Sequence, residues 1–384
     1  MIAFLINEID VRGGTHKQFL ELLDYASSQG EDFVVLTRRV DFEKSYPGFA
    51  KYADKITVIH EMPAMRWWKR FTYGWLRYVC YFRKLLAGAD VVNIHDCGFE
   101  RCLWLLFGKK VVWQINDLPF AFREGNAKDC IETDVDKENR RKIRKATRLF
   151  VDRITVNVSK NAERVKRHLG MNAKVLYCGI TPVNVVHDNM ATIERFKQNR
   201  IRILSSGVFF PYRNYETLLD AFALIRDEGI DATLNIFGAV HYCPDYHRKI
   251  QSIIDKKGLN DYVKILGQID EARYREFHAE SDVFCFVNVD QSWGLAVFEA
   301  MSAGLPVIVS RSVGATEILH DGADATFVDP MSAREIADAI LKLMRDPVFY
   351  AKIQDEGRKL VGRYTWEDAY CGPMLELIQS CRNK

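Results

Sequence analysis

Residues 282–310 read DVFCFVNVDQSWGLAVFEAMSAGLPVIVS. An apolar run (282–287) leads into a polar loop, then a short helical stretch opened by Gly294 and Leu295, then a second apolar run (305–309). Runs this continuous suit strands buried on both faces of a parallel sheet. The segment is therefore a strand–helix–strand unit. The alternation repeats outward in both directions. Toward the N-terminus lie runs at 2–6, 33–37, 56–59, 90–95, 110–115, 154–159 and 174–177, and then 201–206, 232–237 and 262–266; toward the C-terminus lies 325–328. The stretches between them have helical spacing, as in Tyr215, Leu218, Leu219, Phe222 and Ile225. Alternation of this kind predicts an α/β protein with right-handed crossovers and doubly wound parallel sheets.

The 384 residues suggest two domains, at roughly 150 residues each. Residues 179–200 lack a clear strand. The expected division is an N-terminal Rossmann-like domain over 1–180, a hinge over 181–199 and a C-terminal domain over 200–365. A terminal helix of about 366–384 would pack back on the first domain. An apolar fraction of 48% and a charged fraction of 27% exclude disordered, collagen-like and disulfide-scaffold classes. No run of about 18 apolar residues is present, so no membrane-spanning helix is expected. The start is apolar only from Ile2 to Ile6 before Glu8 and Asp10, which reads as a first buried strand and not as a leader. Nine cysteines without any Cys-x-x-Cys spacing fit a reducing, cytoplasmic compartment better than a zinc site or a disulfide framework.

The net charge of +3 is a cancellation. Residues 1–199 hold 33 Lys+Arg against 24 Asp+Glu, or +9, and residues 200–384 hold 21 against 27, or −6. The two halves are expected to meet different partners.

The residues suited to chemistry stand at strand ends. Gly13 and Gly14 follow the first strand and precede a helix, where a ligand can approach the backbone closely and an anion is favoured. A tight strand-to-helix turn explains them equally well. Gly294 and Leu295 open a helix whose free N–H groups can hold a phosphate. Glu299, one turn in, sits among apolar neighbours and needs a partner, which the two hydroxyls of a ribose would supply. His95, ending the run 90–95, is a candidate acceptor contact or a buried strand-end histidine. Asp117 is a more exposed candidate for an acceptor hydroxyl. Asp134-Val-Asp136 precedes a basic helical stretch and reads as helix capping, with no metal site expected.

Together these stretches resemble the family 4 glycosyltransferases. The resemblance is closest over about 205–328, through GVFFPYRNYETLLDAF (207–222), LNIFG (234–238), VKILGQI (263–269), SDVFCFV (281–287), QSWGLAVFEAMSAGLPVIVS (291–310) and VGATEILHDG (313–322). It continues more loosely through 13–23, 90–96, 111–117, 158–168 and 365–370. The resemblance implies a GT-B architecture, two Rossmann-like domains facing a central cleft. It also implies a retaining sugar transfer that needs no metal or other cofactor. Carried over by position, Glu299 would hold the ribose. Gly294 and Leu295 would bond the diphosphate or sugar, Gly13 and Gly14 would lie under that diphosphate, and Arg213, beside the glycine Gly207 of the phosphate loop, would neutralise it. Gln291 stands at the first carboxylate of the family's E-x7-E motif. Val208 stands where a basic residue is usual, and Asn116 where the front domain usually has a histidine. The catalytic candidates are thus Arg213, Gln291, Glu299 and Asn116.

Two basic segments remain. Residues 65–86 interleave Arg66, Lys69, Arg70, Arg77, Arg83 and Lys84 with tryptophans and tyrosines, and residues 137–148 hold seven further Lys and Arg. Both suit contact with an anionic membrane surface, against the plainer reading of core helices with snorkelling bases. Nucleic acid is not expected as a partner. The expected function is transfer of a sugar from a nucleoside-diphosphate donor to a hydroxyl of a lipid-linked saccharide, in the assembly of a cell-surface polysaccharide or glycolipid. Asn116, Val208 and Gln291 leave open a second reading, a catalytically silent binding or scaffold subunit. A sugar-nucleotide epimerase is a third.

Overall fold

The computed structural model describes residues 1–60, 73–117, 122 and 134–382. The chain divides into two units, Met1–Gly179 with Trp366–Lys384, and Ile180–Thr365.

The first unit is built on seven parallel strands: β1 (Ile2–Ile9), β2 (Phe33–Val40), β3 (Ile56–Val58), β4 (Val91–His95), β5 (Lys110–Ile115), β6 (Arg153–Val156) and β7 (Ala173–Val175). They lie in the order β3-β2-β1-β4-β5-β6-β7. Helices α1 (Gly14–Ser28), α2 (Tyr73–Leu85), α3 (Asp134–Phe150) and α4 (Ser159–Leu169) belong to the crossovers. Every residue of β4 is buried, the polar Asn93 and His95 included. The second unit repeats the plan with helices α5 (Asn189–Lys197), α6 (Tyr215–Asp227), α7 (Pro244–Lys256), α8 (Glu271–Glu280), α9 (Leu295–Ser302), α10 (Ala333–Arg345) and α11 (Pro347–Val361). Its strands are β8 (Arg200–Ser206), β9 (Asp231–Phe237), β10 (Val263–Gly267), β11 (Val283–Phe286), β12 (Val307–Ser310) and β13 (Thr326–Val328), in the order β10-β9-β8-β11-β12-β13. Each expected apolar run overlaps one of these strands. In both sheets the order reverses beside the first strand of the unit, between β1 and β4 and between β8 and β11. Ligands of open α/β sheets bind outside the strand C-termini at such reversals.

Within the expected hinge, residues 189–197 form helix α5. Asp188 caps α5 by accepting from the Ala191 amide at 3.0 Å, and Arg195 on that helix pairs with the fully buried Asp282 carboxylate. A buried charge of this kind needs a partner, so α5 is fastened to the second sheet. The chain leaves the first unit at Gly179, where a Cβ would stand 2.2 Å from Cα of Trp366. Only glycine lets the departing and returning segments lie this close. Beyond Trp366 one π-helical turn (Glu367–Cys371) leads into α12 (Gly372–Arg382). Met374, Leu375, Ile378 and Cys381 of α12 are buried, each apolar side chain contributing roughly 1.5–3 kcal/mol.

Of the basic segments, residues 65–72 lie outside the described residues. Helix α3 begins at Asp134, which places Asp134 and Asp136 in its first turn. No described helix is long and apolar enough to cross a membrane.

Candidate functional site

The second unit gathers its candidates around the reversal between β8 and β11. After β8, Gly207 adopts φ +148° and a short 3-10 turn, Pro211–Arg213, follows. Four bonds fix that turn. Val289 N donates to the Tyr212 carbonyl at 2.9 Å. Asn214, itself at φ +57°, donates its side-chain amide to the carbonyls of Val287 (3.2 Å) and Pro330 (2.6 Å). The buried Tyr215 donates its hydroxyl to the Gly207 carbonyl at 3.1 Å. Arg213 is thus presented, half-buried, from a rigid turn, with Nε donating to the Val208 carbonyl at 3.2 Å.

After β11, Gln291 forms a parallel bridge with Val313, and its Oε1 accepts from Asn288 Nδ2 at 3.2 Å. Gly294 turns the chain at φ +89°, and a Cβ there would press on Val313 and Phe286. This is the position where glycine is required by conformation. It opens α9, and no side chain caps that helix. A helix start without a side-chain cap leaves N–H groups that can bond an anion. Glu299 is half-buried on the same helix, and its Oε2 accepts from the Tyr274 hydroxyl at 2.6 Å. The Tyr274 ring is packed by Phe237 (5.2 Å) and His278 (4.3 Å). Burial pushes the His278 pKa down to about 4, so it stays neutral. Nothing in the sequence marked Tyr274, since its pairing with Glu299 joins two helices through the fold.

The first unit treats its strand ends differently. His95 is fully buried against Phe19 (4.9 Å), and its Nε2 donates to the Thr15 carbonyl at 3.2 Å. Burial pushes its pKa down to about 3. The expected acceptor contact at His95 is corrected here, because a side chain sealed under α1 cannot touch a substrate. Asn116 is nearly buried too. Its amide donates to Gln18 Oε1 (2.7 Å) and Thr15 Oγ1 (3.3 Å), and its Oδ1 accepts from Gln114 Nε2 (2.9 Å). Gln114 accepts in turn from Thr155 Oγ1 (2.6 Å), and Asn161 donates to the Asn116 carbonyl (2.6 Å). Asn116 is the centre of a satisfied buried network, which argues against a place among the reacting atoms. Asp96, at φ +64°, accepts from the backbone amides of Asn116 (3.2 Å) and Asp117 (3.4 Å). Asp117 itself is exposed. Gly13 has an extended backbone and begins α1 without a side-chain cap. The sequence did not single out Gln18, whose side chain is fully buried on α1.

The comparisons with known proteins bear on the same residues. Residues 187–360 match the family model described as Glycosyl transferases group 1. The second unit is a group 1 glycosyl transferase domain. Among curated relatives, the phosphatidyl-myo-inositol mannosyltransferase of Mycobacterium leprae is 33% identical over 110 residues, 28% of this chain and 29% of its own length. The chain thus spans less than a third of that relative. Among solved structures, HepE of Anabaena in complex with UDP aligns at a TM-score of 0.75, 17% identity and 99% coverage of both chains. The sucrose-phosphate synthase of Thermosynechococcus elongatus aligns at 0.76 and 18%, covering 99% of this chain and 98% of that one. Likeness of this extent shows the fold, two parallel-sheet α/β domains of the GT-B type. The group 1 domain contains Gly207, Arg213, Gln291, Gly294, Leu295 and Glu299.

Proposed function

We propose that the chain is a retaining hexosyl-type glycosyltransferase that takes a sugar from a nucleoside-diphosphate donor to a saccharide hydroxyl. The observation that carries this reading is the meeting, inside a group 1 domain, of a rigidly presented Arg213, the uncapped start of α9 and the Tyr274-held carboxylate of Glu299. A nucleoside diphosphate has matching parts. Glu299 accepts from the ribose hydroxyls, the N–H groups at Gly294 and Leu295 bond the diphosphate or sugar, and Arg213 meets the distal phosphate. Charge that develops on the leaving diphosphate falls on groups already in place, and such preorganisation lowers the barrier. In this reading no metal or other cofactor takes part. Gln291 bonds a donor-sugar hydroxyl as donor and acceptor. The acceptor hydroxyl attacks the face the diphosphate leaves, which retains configuration. UDP, bound by HepE, is the first donor nucleotide to test.

The acceptor is assigned to the first unit, with Asp117 as its contact. A lipid-linked acceptor fits the basic surface of α3 and α4, where Arg140, Arg141, Lys142 and Lys145 stand beside the exposed Leu149. Placement at the cytoplasmic face of a membrane, in polysaccharide or glycolipid assembly, belongs to the same proposal. The scaffold reading loses one of its motives, since a buried structural Asn116 says nothing about turnover. Screening UDP-, GDP-, dTDP- and ADP-linked hexoses by thermal shift and by nucleotide release tests the reading. One donor should raise the melting temperature and be turned over. Binding without release, across a broad acceptor panel, would favour the scaffold.

A further inference from the structure

Arg213 lies against two aromatic rings, a setting that its charge alone does not explain. Its guanidinium carbon is 5.0 Å from the Tyr212 ring centre and 5.6 Å from that of Phe286. Gly207 lies beside it, and a Cβ there would come within 2.5 Å of the guanidinium carbon. On the far side of Tyr212 the stacking continues. Tyr212 and Phe210 are 5.8 Å apart at 15° between planes, and Phe210 and Tyr242 are 6.5 Å apart at 28°. His241 adjoins Tyr242 at 4.2 Å. The row joins the loop after β8 to the loop after β9. It is a surface feature, with Tyr242 46% exposed, so core burial does not account for it.

We propose that this aromatic row is a brace for Arg213, and that Tyr212 is a positioning residue for the distal phosphate of the donor. The inference rests on the reading above in which Arg213 meets that phosphate. A long side chain loses rotamer freedom when a ligand fixes it. A guanidinium in cation–π contact with two rings is restricted before the ligand arrives. Lysine has the charge but no plane to stack, so Arg213→Lys is not conservative here. Tyr212 is held in turn by Phe210, whose ring is stacked on Tyr242, and by the Val289 amide on its carbonyl. The missing Cβ of Gly207 leaves room for the cation.

The test is calorimetric titration of the full chain with UDP and with UMP. The ratio of their dissociation constants reports the distal phosphate, which a general loss of folding would not change selectively. Tyr212→Leu is expected to weaken UDP about tenfold, leave UMP within twofold and so shrink the ratio. Tyr212→Phe should restore it, because the ring is what stacks. Arg213→Lys should lose about as much as Tyr212→Leu, and the double variant little more than either, as expected for two groups acting as a unit. An unchanged ratio in Tyr212→Leu, with a collapsed ratio in Arg213→Ala, would overturn the brace and leave the donor reading standing. An unchanged ratio in Arg213→Ala would remove Arg213 from the phosphate and the brace with it. Failure of the native chain to bind UDP, GDP or ADP would overturn both.

Discussion

The two sheets share one strand order, yet they finish their strand ends in opposite ways. In the second unit the ends of β8 and β11 lead to half-buried charged side chains, Arg213 and Glu299, each held by a neighbour. In the first unit a layer of neutral polar side chains, His95, Gln114 and Asn116, bonded to one another or to α1, lies under the ends of β4 and β5, and the carboxylate beyond it, Asp96, is taken up by the backbone amides of Asn116 and Asp117. Topology therefore fixes where a ligand could go, and the side chains decide whether the place is open. A charged, preorganised site suits a diphosphate. A sealed polar layer is suited to holding the loops above it rigid.

The comparison breaks most sharply at Asn116. Its replacement by alanine removes the buried bonds of Gln18 Oε1 and Gln114 Nε2. The expected cost is about 3 kcal/mol of stability, seen as a lowered melting temperature, with UDP affinity at 25 °C unchanged within twofold. A lost affinity with full stability would place Asn116 in the site after all. A smaller effect comes from pH. The unfolded chain protonates His95 near pH 6.5, while the folded chain resists until about pH 3. This contribution is fully present above the unfolded value and falls as pH drops through that window. Between pH 7 and 5 it should cost about 2 kcal/mol, and His95→Gln should flatten the dependence. His278 in the second unit, with a pKa near 4, adds a slope of the same sign. The smallest effect is expected at Asp117. Its exposed carboxylate should change stability by under about 0.5 kcal/mol when replaced by asparagine, while transfer to an acceptor falls several-fold and donor binding stays the same.

Sequence reading recovered the fold because parallel strands buried on both faces leave continuous apolar runs, and each such run overlaps a strand. Gly294 and Glu299 were legible for a similar reason, a glycine and a lone carboxylate standing out in an apolar helix. Long-range pairings were not legible. Tyr274 reaches Glu299 from a different helix, and Tyr242 reaches Phe210 from a different strand end, so no spacing announces either. The two readings of His95 could not be separated, because a strand-end histidine looks alike in sequence whether it faces solvent or lies under a phenylalanine. The helix over Asn189–Lys197 was missed because its anchor, Asp282, lies 87 positions from Arg195.

The central claim is that the Glu299 carboxylate in the group 1 domain holds a nucleotide ribose. Titration of UDP and of 2′-deoxy-UDP into the native chain and into Glu299→Ala tests it most directly. The account predicts that the native chain prefers UDP by about tenfold, near 1.4 kcal/mol, and that the preference vanishes in the variant while its fold is kept. An equal preference in both chains would contradict it.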